Sequence, residues 1–258
     1  MPWRDTDDPY KILVSEIMLQ QTQVSRVLEK YPPFIKRFPT LQKLARAPLG
    51  DVLRLWQGLG YNRRAKMLHS FAQQVVDTYH GIIPATYDEL VDLPGIGRST
   101  AGAILAFAFE KDVPMIDTNI RRILCRVFFG RKRKMPTDKE LYEFGSLLIP
   151  RGKGRMWNYA LLDIGAMYCT AKHHKDDCPL KHLHGRVKDL TTKTPQKPFH
   201  NSRRYWRGLV LRELALHSMS SRQIKDAFHE CKDIDAVVRD LLKEKMISMQ
   251  GRRYALGS

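Results

Sequence analysis

The stretch LPGIGRSTAGAILAFAFEKDVPMID, from Leu93 to Asp117, constrains what this chain can fold into more than any other. Residues 87–91 read as a short helix opened by a capping box of Thr86 and Glu89. Pro94-Gly95-Ile96-Gly97 then breaks the helix, because glycine tolerates φ > 0 and leaves no Cβ between backbone and ligand. From Ser99 the small residues Ala101, Gly102, Ala103 and Ala106 mark a closely packed helix running to residue 109. A glycine turn entering a helix N-terminus points N–H groups and the positive end of the dipole outward, which suits a phosphate. The same spacing also describes an ordinary connection between two helices, and a short glycine turn alone does not separate the two readings.

Charge points the same way as the turn. The chain carries a net charge of +17 over 258 residues, with the excess spread over Arg63-Arg64, Arg121-Arg122, residues 131–134 and Arg203-Arg204. That dispersal favours a long polyanion partner, most simply DNA, over a merely solvated basic surface. With 43% hydrophobic residues the chain can build one large core or two modest ones. No apolar run approaches a membrane span and no charged–apolar–small leader opens the chain, so the expectation is a cytoplasmic, nucleoid-associated protein without a membrane partner.

Taken in order, residues 3–8 read as a polar entry and residues 9–28 as one helix ended by Pro32-Pro33. On it Glu16 has Ile12 and Leu13 one turn before and Leu19 and Gln20 one turn after, so its carboxyl is expected to be half-buried and biased towards the protonated form. An exposed helix glutamate is the alternative from the pattern alone. Thr40 caps a second helix, Asp51 opens a third, and GLGY at residues 58–61 turns the chain into a fourth through Leu68, Phe71, Val75 and Val76. Tyr61, between that turn and Arg63-Arg64, is placed either to enter a base stack or to pack on the core. Asp117 follows Pro114-Met115-Ile116, with Thr118-Asn119 as caps of a helix over 120–129, and the helix N-terminus and Arg121 or Arg122 are expected to keep it ionised. A plain N-cap is the competing role. Residues 140–167 are again helical around a turn at 150–154.

Four blocks in order, SEIMLQQTQV, LWQGLGYNRRAKMLH, LPGIGRSTAGAIL and MIDTNIRR, resemble the helix–hairpin–helix DNA glycosylase superfamily that includes endonuclease III and the MutY-type adenine glycosylases, and LQQTQ resembles MutY in particular. The resemblance implies an all-α fold of two helical lobes within residues 1–184: a six-helix barrel lobe over about 9–110, and a second over about 111–184 joined by the N-terminus. It implies a monofunctional base excision repair enzyme that removes adenine mispaired with 8-oxoguanine or guanine. Glu16 would protonate the adenine ring and Asp117 would stabilise the oxocarbenium-like sugar. Ser99, Asn119, Trp3 and Arg4 would face the base or sugar. Leu19, Gln20, Gln21, Thr22, Tyr61, Arg63 and the hairpin Pro94, Gly95, Ile96, Gly97 and Arg98 would hold the duplex, with a monovalent cation at the hairpin carbonyls. Bifunctional relatives carry a nucleophilic lysine where this chain has Ser99, so hydrolysis by water is expected. A glycosylase for uracil, thymine or another base, and a DNA-binding protein without activity, are the rivals.

The chain departs from the family in two places. Most relatives hold a 4Fe-4S cluster with C-x6-C-x2-C-x5-C, whereas CTAKHHKDDCPLKHLHG offers Cys169 and Cys178, no cysteine at the second position and His184 where the fourth would fall. The cluster is therefore expected to be absent. Zinc on Cys169, His174, Cys178 and His184 is the lesser alternative, since the spacing matches no standard finger. The second departure is the tail. Residues 185–204 read as a linker, and 205–258 as three helices and a hairpin, a winged-helix-like DNA-binding domain or a small helical cap, with no Nudix-like domain. A monomer is expected.

Overall fold

The computed structural model describes residues 1–130, 135–170, 175–183 and 198–257. The basic run 131–134, His174, His184 and most of the expected linker lie outside the described residues. Its first helices are α1 (Pro9–Leu19), α2 (Val24–Arg37), α3 (Leu41–Arg46), α4 (Leu49–Trp56), α5 (Arg63–Thr78), α6 (Tyr87–Val91) and α7 (Arg98–Phe107). There follow α8 (Thr118–Phe128), α9 (Asp138–Leu148), α10 (Gly154–Met167), α11 (Arg203–Leu216), β1 (Met219–Ser220), α12 (Ser221–Ala227), α13 (Ile234–Lys243), β2 (Ile247–Gln250) and β3 (Arg253–Leu256). Helix dominates, as the all-α expectation required, and the described strands all lie in the tail. None of the described helices is long and apolar enough to cross a membrane.

The residues form two compact units, one of Met1–Pro2, Val14–Ile83 and Pro195–Ser258, the other of Trp3–Leu13 and Pro84–Thr194. The packing boundary thus falls before α6, where the lobes were expected to part near residue 110.

In the first unit the expected helix 9–28 is two helices, because the chain leaves helical geometry at Gln21 (φ 56°) and re-enters at Val24. Pro32 and Pro33 lie inside α2 and do not end it. A proline in a helix interior costs about 3 kcal/mol, and here the buried face Val27, Tyr31 and Phe34 offsets it, Phe34 meeting Phe38 and Trp56 edge to face. Helix α4 begins two residues before Asp51, which lies in its first turn and pairs with Arg37 and Arg54. Thr40 caps α3 as expected, accepting from the Lys43 N–H at 3.2 Å.

The tail belongs to this unit. Its sheet is antiparallel in the order β1-β3-β2, with Met249 opposite Tyr254; α11 packs on β3 and α13 on β2, and Trp206, Val210, Leu214, Val238 and Leu241 of these helices are buried. Ser220 and Gln223 close a full capping box on α12. The tail thus runs helix, strand, two helices and a hairpin, with β1 added to the expected three helices and hairpin. The N–H of Gly50 donates to the Gly257 carbonyl at 2.6 Å, and Arg54 Nε donates to that of Ala215, so α4 carries the tail directly.

In the second unit α7 is the central element. Its small residues let the chain before Asp117 come close: a Cβ on Gly102 would lie 2.7 Å from the Pro114 carbonyl oxygen. Ala103, Ala106, Phe107, Met115, Ile120, Leu124 and Leu141 form one buried cluster, and Phe107 stacks on Tyr159 of α10 at 4.2 Å. The Thr86–Glu89 pair bonds side chain to side chain, and Thr86 does not reach the backbone as a capping box would.

Candidate active site

The second unit holds Asp117 and the hairpin. Asp117 is itself the N-cap of α8: Oδ1 accepts from the Asn119 and Ile120 N–H groups at 2.8 Å each, and Oδ2 accepts from Asn119 Nδ2 at 3.0 Å. Thr118 and Asn119, expected as the caps, are instead the first helical residues. Arg122 decides which way the Asn119 amide points, since its Nη2 donates to Asn119 Oδ1 at 2.7 Å and so leaves Nδ2 for Asp117. The same guanidinium is buried and donates to the Cys169 and Gly165 carbonyls. Arg121 goes elsewhere, to Asp138 and the Pro136 carbonyl.

Burial pushes the Asp117 carboxyl above the ordinary carboxylate value, and the N–H groups of Ile120 and Asn119 and the charge of Arg122 only partly oppose it. This corrects the expectation that the helix end and an arginine would dominate. The donors hold the carboxylate in place, while the surroundings make its charge costly.

The chain leading to Asp117 is fixed by groups that the sequence reading passed over. Asn158, fully buried on α10, accepts from the Met115 N–H at 2.7 Å and donates to the Val113 and Gly154 carbonyls. Asp112 accepts from the Gly152 and Gly154 N–H groups, which hold its carboxyl below the usual range. A polar Asn within an otherwise apolar helical stretch was the available signal.

The hairpin turns at Gly95, with φ 79°, whereas Gly97 takes an ordinary φ of −93° as the N-cap of α7. Nothing lies within 4 Å of a Cβ placed on Gly97, so the backbone there is open to approach. Ile96 is buried at 6% exposure, and its N–H donates to the Leu93 carbonyl at 3.2 Å. It anchors the turn and does not present its side chain. Arg98 is exposed and Ser99 half-buried in the first turn of α7, where N–H groups have no intrahelical acceptor.

Trp3 is buried at 3% exposure, so the polar entry is in part a core segment. Arg4 makes a two-pronged pair with Asp163 (2.7 and 2.9 Å) and lies over the Tyr159 ring. With Arg155 and Met156 these residues line an open groove of about 580 Å³.

The first unit holds Glu16, the LQQT turn and the GLGY turn. Glu16 is half-buried on α1, between buried Ser15 and Ile17, as its spacing implied. Gln21 and Tyr61, the tips of the two turns, both stand in the left-handed region (φ 56° and 47°), uncommon for residues with a Cβ. One guanidinium joins both turns. Arg64 Nη1 donates to the carbonyls of Ile17, Met18 and Gln20, and Nη2 to those of Leu59 and Gly60 and to Thr22 Oγ1 at 3.0 Å. Thr22 is therefore turned inward, its hydroxyl also bonding the Leu59 carbonyl, and Gln21 is the exposed member of the pair. Arg63 is exposed and Leu19 and Gln20 half-exposed. Burial lowers Arg64 to about 10, which still leaves it cationic at neutral pH. Two adjacent arginines look alike in sequence; only the fold separates the inward one from the outward one.

Residues 14–150 match the family model described as HhH-GPD superfamily base excision DNA repair protein. This chain belongs to that superfamily. Among curated superfamily relatives, the adenine DNA glycosylase of Buchnera aphidicola subsp. Baizongia pistaciae is 39% identical over 80% of this chain and 60% of its own length. That of Mycobacterium tuberculosis is 40% identical over 70% of the chain and 60% of its own length. The chain thus spans less than two thirds of these relatives. The thymine/uracil-DNA glycosylase of Pyrobaculum aerophilum is 36% identical over 70% of the chain and 81% of its own length. Of solved structures, a thermostable thymine-DNA glycosylase has a TM-score of 0.67 at 32% identity, covering 71% of this chain and 86% of that one.

The cysteines fit a superfamily cluster poorly. Cys169 and Cys178 are buried thiols, and Cys169 Sγ accepts from Arg126 Nη1 at 2.9 Å. Cys125 and Cys231 are also buried and free, each on or beside a helix elsewhere in the fold. No group of three or more His, Cys, Asp or Glu suited to a metal occurs among the described residues. His174 and His184 of the alternative zinc set lie outside them.

Proposed function

We propose that this protein is a monofunctional DNA glycosylase that flips adenine, mispaired with 8-oxoguanine or guanine, out of double-stranded DNA and hydrolyses its N-glycosidic bond. The observation that carries the reading is Asp117, a carboxylate fixed by three donors at the head of α8 and close in sequence to an open glycine hairpin. Glu16 donates a proton to the departing base. Asp117, ionised above its raised pKa, stabilises the positive charge that develops on the sugar and orients water. Backbone N–H groups at Gly97 and the first turn of α7 hold phosphate, with Arg98 beside them. Tyr61 and Gln21 enter the duplex from tips that Arg64 holds in left-handed conformations. Ser99 offers no amine for a Schiff base, so water is the nucleophile. The protein acts as a monomer.

A second reading, excision of thymine or uracil from a mismatch, is favoured by one observation: the chain spans 86% of the thymine-DNA glycosylase structure against 60% of the adenine enzymes. Against it stands the LQQTQ block, which resembles the MutY-type adenine enzymes in particular. A duplex panel separates the two. Adenine opposite 8-oxoguanine or guanine is expected to yield alkali-labile sites and no strand break before alkali, with no adduct trapped by borohydride. Release of thymine or uracil alone would select the second reading, and trapping of the wild-type protein would overturn hydrolysis by water.

The proposal includes no iron–sulfur cluster. Cys169 and Cys178, the two thiols of the corresponding stretch and one of them already accepting from an arginine, are a poor donor set for a cubane. Protein purified anaerobically is expected to lack broad visible absorption, and recovery of about four irons per chain would contradict this. At the hairpin no acidic side chain lies between Leu93 and Ser99, so the implied monovalent cation would have carbonyl oxygens as its ligands there.

A further inference from the structure

We propose that Arg204, at the start of α11, is a positioning residue for Tyr61, through which the C-terminal winged helix takes part in opening the duplex. The inference rests on the proposed insertion of Tyr61. Arg204 Nη1 donates to the Tyr61 hydroxyl at 3.3 Å, and its guanidinium carbon lies 5.8 Å from the Tyr61 ring centroid and 5.7 Å from that of Phe199. Arg64 stands 5.6 Å from the Tyr61 ring. Phe199, Arg204, Tyr61 and Arg64 thus alternate ring and cation. Single exposed aromatics are unremarkable on a protein surface, but here Phe199 at 61% exposure and Tyr61 at 40% are bridged by one guanidinium. Arginine beside aromatic rings is the combination on which unstacked bases rest.

The attachment of the tail makes the contact a fixed one. The bond from Arg54 to Ala215 seats α11 on α4, the helix that leads into the GLGY turn, and the bond from Gly50 to Gly257 ties the end of β3 to the same helix. Asp240 of α13 and Glu244 just past its end pair with Arg203 and Arg207 of α11 at 2.5 and 2.8 Å, and Asp235 pairs with Lys225 at 3.0 Å. Arg203 and Arg207 of α11 are thus held by carboxylates, whereas Arg204 between them reaches Tyr61.

The test is a double-mutant cycle in the whole 258-residue chain, on a duplex with 2-aminopurine beside the target adenine, whose fluorescence rises when the stack opens. Arg204→Ala is expected to lower both the fluorescence rise and single-turnover base release by roughly fivefold, the scale of a partly desolvated cation–π contact, with no change in melting. Arg204→Lys keeps the charge and the salt dependence of binding but is expected to recover less than half of the loss, because an ammonium lacks the planar fork. In the Tyr61→Ala background the Arg204→Ala change is expected to add nothing. An additive loss there would make Arg204 an independent phosphate contact and overturn the proposal, as would wild-type opening in Arg204→Ala while Tyr61→Ala is impaired. If Tyr61→Ala itself opens the duplex normally, the insertion of Tyr61 is wrong and the proposal falls with it.

Discussion

Asp117→Asn is expected to lower single-turnover base release by about a thousandfold, the range of a positioned catalytic carboxylate, with duplex affinity retained because phosphate contacts dominate it. Three donors hold the carboxylate, and the asparagine would turn an NH2 towards Asn119 Nδ2, whose own orientation Arg122 fixes. The wild-type pH profile carries the same signature. Burial raises the carboxyl, so it stays protonated to higher pH than a free aspartate, and base release is expected to fall on acidification at a pH above the ordinary value of about 3.9. Asn119→Ala removes a donor that favours the ionised form and should move that limb to still higher pH. Full activity in Asp117→Asn, or a limb that moves down in Asn119→Ala, would contradict the assignment.

Arg64→Met should destabilise the protein more than any other single change in the first unit, by about 3 kcal/mol, since charged donors leave buried carbonyls behind. For a chain of this size that is about 6–12 °C in melting temperature. The guanidinium closes the C-terminal end of α1 through Ile17, Met18 and Gln20 and ties it to the Leu59-Gly60 turn. Without it Gln21 and Tyr61 would lose what holds them at positive φ. Arg63→Met, by contrast, removes an exposed side chain and is expected to leave melting unchanged while flattening the salt dependence of DNA binding. Equal melting of the two variants would show that the bonds of Arg64 do not hold the turns.

The sequence by itself determined what local chemistry dictates. The glycine turn, the short helix before it, the caps at Thr40 and Ser220 and the hairpin of the tail follow from φ preferences and from side chains that bond their own backbone, and ordered blocks carried the family. It also placed Glu16 on a half-buried position, since helical spacing alone fixes its neighbours. Tertiary structure decided the rest. Prolines 32 and 33 stay helical because Phe34 packs on Trp56, which no local rule contains. Thr22 and Arg64 turn inward because each meets carbonyls some forty residues away in the chain, and Asp117 is raised in pKa because the surrounding fold buries it. Burial and long-range hydrogen bonds depend on which distant segments meet. A pattern read along one chain carries no term for that meeting, so the direction of a side chain and the ease of its ionisation were left to the fold.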